Sequence, residues 1–116
     1  MNGGPRERLR SERAAAASRL AGLERELGSV VESASQANTD DEHDPEGATI
    51  AYERQHVAAL ISQAKDSLTE IDAAIGRLEA GSYGRCARCG KPIAPERLAV
   101  RPSASTCIKC AERNRR

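Results

Sequence analysis

Residues Tyr83–Cys110, YGRCARCGKPIAPERLAVRPSASTCIKC, hold all four cysteines of the 116-residue chain as two C-x-x-C pairs separated by seventeen residues. A C-x-x-C pair bends so that both sulfurs can face one ion. Four thiolates then complete the closed tetrahedral shell that structural zinc prefers, at roughly 2.3 Å per Zn–S bond. Gly90, directly after the first pair, can take the positive φ that turns backbone N–H groups towards the sulfurs. The spacing predicts one structural zinc ion held by Cys86, Cys89, Cys107 and Cys110. No ligand position is left for water, so Lewis-acid hydrolysis is disfavoured. Two disulfides or a dithiol redox pair are the competing readings. No secretory signal accompanies the first, and no βαβ pattern surrounds the second.

An aromatic content of 2%, with neither Trp nor Phe, is too small for a large globular core. A metal and a long helix pair are the usual substitutes, and zinc binding of ~10–16 kcal/mol in small fingers exceeds the stability of many whole domains. The opening residues lack an apolar run, and nowhere do eighteen apolar residues stand together. The sequence therefore predicts neither signal peptide nor membrane span, and a cytoplasmic location. The net charge of +1 hides an asymmetry: segments 1–36, 37–47, 48–80 and 81–116 carry +1, −5, −2 and +7.

Outward from the cysteines, Arg6 to about Ser35 has no internal Pro and is rich in Ala, Leu, Arg and Glu, which favour helix. Leu9, Ala16, Leu20, Leu23, Leu27, Val30 and Ala34 recur at alternating threes and fours with Arg13 as a polar break, an a/d seam that wants one partner helix. Gln36 to Gly47, QANTDDEHDPEG, is polar and acidic and predicts a turn. From about Ala48 a second seam runs through Ile50, Val57, Ile61, Ala64, Leu68, Ile71, Ile75 and Leu78 until Gly81 caps it. The expected fold is mainly α: a long antiparallel two-helix coiled-coil hairpin, roughly 45 to 50 Å long, followed by a small C4 zinc finger with a short C-terminal helix. Residues 1–80 form the hairpin, with its acidic tip at about 37–47, and 81–116 the finger and basic tail. A monomer is expected, with a dimer pairing through the same seams as the alternative.

Gly81, Tyr83, Gly84, Cys86, Cys89, Gly90, Arg97, Leu98, Arg101, Pro102, Cys107 and Cys110, set behind such a hairpin, resemble the DksA/TraR zinc-finger proteins of bacteria. The resemblance implies a transcription regulator that binds RNA polymerase rather than DNA, inserting the hairpin through the secondary channel. In that family the tip carries Asp-x-x-Asp-x-Ala. Here Asp44 as first acid is followed by Gly47 and Thr49, whereas Asp41 and Asp44 restore two acids at the cost of Glu46 in place of Ala. Asp41, Asp44 and Glu46 are thus the expected polymerase-binding tip, against the plainer reading of a solvated turn. The resemblance also assigns Arg101 to a phosphate-contacting position of a guanosine tetraphosphate site, or to a bracing role. Two further basic positions of that site fall on Glu70 and Ala111, so any nucleotide dependence is expected to be weak.

Three other functions compete. A nucleic-acid-binding finger would use the nine basic residues after Gly81, although aromatic scarcity argues against base stacking. A zinc-capped coiled-coil scaffold would dimerise. An enzyme has no phosphate loop, paired nucleophile or open metal site to support it. The chain is therefore expected to be neither an enzyme nor a sequence-specific DNA binder. His43 and His56 are expected to be inert, and Tyr52 and Tyr83 to be packing residues.

Overall fold

The computed structural model describes residues 4–37 and 45–114. Among them are four helices: α1 (Pro5–Ala37), α2 (Pro45–Ala80), α3 (Pro95–Val100) and α4 (Ile108–Asn114). α1 and α2 make the expected long hairpin, with the cysteines gathered in the segment that follows. Both helices run further towards the turn than the polar composition suggested. α2 starts at Pro45 rather than about Ala48, since Pro at the first helical position loses only an N–H that has no partner there anyway. Asp41, Asp44 and His43 lie outside the described residues, while the Glu46 backbone belongs to the first turn of α2.

Two compact units divide the chain: Met1–Ala15 with Ser67–Arg116, and Ala16–Asp66. The division falls within both long helices. In the second unit Ala16, Val57, Ile61 and Ala64 are buried and Leu20, Leu23, Leu27, Val30 and Ile50 half-buried, as an a/d seam requires. In the first unit Leu9 is fully buried, a contribution of ~1.5–3 kcal/mol, and Ile71 is buried with it. Arg13, the polar break in the seam, reaches Asp72 at 2.6 Å. Both groups are half-exposed, so the pair fixes register more than it stabilises.

Ala74 is also fully buried although it lies off the expected seam, whereas Ile75 on the seam is only half-buried. Glu70 Oε2 accepts from the Arg101 guanidinium at 3.2 Å, and Arg77 donates to the Ser103 and Ala104 carbonyls at 3.5 and 3.4 Å. Glu70 and Arg77, two turns apart along one face of α2, thus fasten the end of that helix to the 101–104 segment.

α2 ends as the sequence anticipates. Gly81 has φ +81°, Ser82 N–H donates to Arg77 O at 2.9 Å and Gly81 N–H to Leu78 O at 3.3 Å, the bond pair of a Schellman cap. Tyr52 departs from expectation. It is 72% exposed and stacks on His56 one turn later, with ring centroids 6.4 Å apart, because it stands beside the seam position Ile50 rather than on it.

Candidate metal centre

The first cysteine pair sits on a tight two-sided turn. Arg85 and Pro92 form an antiparallel bridge, Cys86 N–H donates to Lys91 O at 2.8 Å, and Ile93 N–H donates to Gly84 O at 2.7 Å. Gly90, at φ +77°, closes the turn and donates to Cys86 O at 2.9 Å. This curl aims the N–H groups of Arg88 and Cys89 at Cys86 Sγ, 3.4 and 3.5 Å away. The second pair uses a helix start. Cys107 precedes α4, whose Ala111 N–H bonds back to Cys107 O at 2.9 Å, and Cys110 stands three residues on, along the same face.

The two turns bring all four sulfurs within 4.8 Å of one another. None is in a disulfide, and Cys89 Sγ lies 3.8 Å from Cys107 Sγ, far beyond a bonded ~2.05 Å. A regular tetrahedron with a ~2.3 Å centre-to-sulfur distance has an edge of ~3.8 Å, so the Cys89–Cys107 pair already stands at the spacing that zinc requires. Cys86, Cys110 and Ile93 are buried together, with Leu98 and Cys107 packed against them. Cys89 remains exposed.

The electrostatics of the four thiols are uneven. The Cys89 N–H holds the Cys86 thiol down to about 6, despite an opposing push from burial. The Cys110 N–H holds Cys107 below the ordinary thiol range. Burial pushes Cys110 up to about 12. A site that already favours thiolate at some positions while needing charge compensation at another is suited to a divalent cation.

Arg101, the phosphate contact that the resemblance implies, is engaged with Glu70 at 3.2 Å. Arg85, Arg88, Lys91, Lys109 and Arg113 are exposed. Arg77 is the residue that sequence reasoning missed. An Arg in the last turn of a helix signals only a favourable end charge, and nothing local announces a bond to residues 26 and 27 positions later.

Comparison with known proteins extends the picture beyond the sulfurs. The family described as prokaryotic dksA/traR C4-type zinc finger matches residues 81–116. The chain is 43% identical over 49 residues to the RNA polymerase-binding transcription factor DksA of Caulobacter vibrioides, covering 42% of this chain and 34% of that protein. It is 48% identical over 46 residues to an uncharacterized protein of Aquifex aeolicus, covering 40% and 32%. These matches span about a third of each relative's length. The solved structure of transcription factor DksA2 from Pseudomonas aeruginosa superposes with a TM-score of 0.76 at 33% identity, covering 96% of this chain and 80% of that one. A shared finger motif alone would leave the hairpin unaccounted for, but this likeness includes it, and the chain belongs to the DksA/TraR family of C4 zinc-finger proteins.

Proposed function

We propose that this protein is a transcription regulator that binds bacterial RNA polymerase through the secondary channel, with one structural zinc ion held by Cys86, Cys89, Cys107 and Cys110. The observation that carries the reading is the likeness to DksA2 over 96% of the chain, hairpin included, beside the polymerase-binding factor of Caulobacter. Bound zinc neutralises part of the thiolate charge and cross-links the two cysteine turns. Asp41, Asp44 and Glu46 form the tip presented near the active centre, where carboxylates meet cationic groups. The protein works in the cytoplasm as a non-enzymatic ligand of polymerase. Arg101 braces the finger through Glu70, so guanosine tetraphosphate dependence is weak.

The test is binding of the fluorescently labelled, zinc-loaded protein to bacterial core RNA polymerase, with a second secondary-channel ligand as competitor. Saturable binding that the competitor abolishes is the expected result. Absence of binding at micromolar concentration would sink the proposal and turn attention to nucleic acid and the exposed basic residues of the finger. Asp44→Asn is expected to bind polymerase nearly as well while losing much of the effect on transcription. A variant with full effect would remove the tip from the mechanism.

A further inference from the structure

The segment between α3 and the second cysteine pair has no helix or strand of its own, yet every one of its carbonyls from Pro102 to Thr106 accepts a hydrogen bond from outside it. Tyr83 Oη donates to Pro102 O at 2.7 Å, the Arg77 guanidinium to Ser103 O and Ala104 O, Ala87 N–H to Ser105 O at 2.7 Å, and Arg97 Nε to Thr106 O at 3.0 Å. Pro102 and Ala104 are buried within the segment. An irregular strip would ordinarily sample many conformations, at an entropic cost to whatever must order it. Here three side chains and the first cysteine turn impose one.

We infer that Arg77, Tyr83 and Arg97 are positioning residues that preset the 102–106 strip, and so deliver Cys107 to the metal. None of the three touches a sulfur or is itself a ligand. Their donors converge on the backbone directly before Cys107, and they come from three places: the last turn of α2, the turn before Cys86, and α3. The Tyr83 hydroxyl suits this task because a phenol is protonated, and so a donor, at neutral pH, and burial pushes its pKa further up. Arg suits the other two because its long stem ends in several fixed N–H donors, and Nη2 of Arg77 is shared between the two adjacent carbonyls. Through Arg77 the metal affinity becomes linked to the end of α2, so the hairpin base helps to order the site.

This inference rests on the zinc reading, and its test separates the two. Zinc stoichiometry of the parent protein examines the metal. Zinc affinity in competition with a chromophoric chelator, measured for Tyr83→Phe, Arg97→Gln, Arg77→Ala and Arg77→Lys, examines the positioning. One ion should bind to every variant, with the same tetrahedral spectrum when cobalt replaces zinc. Affinity should fall about 10-fold for Tyr83→Phe, Arg97→Gln and Arg77→Ala, in the range seen for residues that orient metal ligands, and Arg77→Lys should recover part of the loss. If Arg77→Ala fails to fold, Tyr83→Phe, which removes one oxygen, decides. A parent that binds one ion and variants within about twofold of it would overturn the positioning role alone. A parent that takes up no zinc would overturn the metal reading and this inference with it.

Discussion

Cys86 and Cys110 are both buried, yet their thiols are driven to opposite sides of the ordinary value of 9.0: about 6 for Cys86, where an N–H points at the sulfur, and about 12 for Cys110, where burial dominates. The linkages are opposite in sign. In the metal-free arrangement Cys86 contributes stability that is full above 9.0 and lost as pH falls through about 6, whereas the contribution of Cys110 is full below 9.0 and lost as pH rises through about 12. No single pH suits both sulfurs, but a divalent cation does, because it makes thiolate the preferred form at every position. Zinc must at least displace the proton of Cys110, so affinity is expected to weaken about tenfold or more for each pH unit of acidification near neutrality. Chelator competition across a pH series measures this, and a flat profile would refute it.

At the scale of elements, two glycines make opposite demands. Gly81 closes α2 at φ +81°, where a side chain is strained whatever the space, so Gly81→Ala should destabilise by ~1–2 kcal/mol. Gly28 lies inside α1 with nothing within 4 Å of an added Cβ, so Gly28→Ala should stabilise by ~0.5–1 kcal/mol. Thermal unfolding of both variants checks the pair, and shifts of the same sign would refute the backbone argument. Gly81 was legible from the sequence, as were the seams, because helix periodicity and caps are local codes. The start of α2 was not. A run of acids around a Pro has turn composition whether or not the helix has already begun, and only position within the first turn tells the two apart. α3, six residues long, was too short to leave a period. The Arg101–Glu70 pair and the reach of Arg77 are non-local and left no pattern at all.

For the whole molecule, chelation is expected to remove the finger's ordered packing and little of its helix content. α3 and α4 hold 6 and 7 residues, against 33 and 36 in α1 and α2. The far-ultraviolet helical signal should therefore fall only slightly, while protease cutting between Gly84 and Cys107 becomes fast. Collapse of the helical signal on chelation would show instead that the hairpin depends on the metal throughout. The cysteine constellation was readable from spacing, and the hairpin from its two seams; the two compact units, Met1–Ala15 with Ser67–Arg116 and Ala16–Asp66, are set by contacts rather than composition. That partition bears on modularity. A fragment begun at Gly81 would carry all four sulfurs and would lack Glu70 and Arg77, the two residues to which the 101–104 segment is fastened. The finger is thus a poor cassette: transplanted alone onto another protein it would arrive without its anchorage, and a working graft would have to bring the end of α2 along.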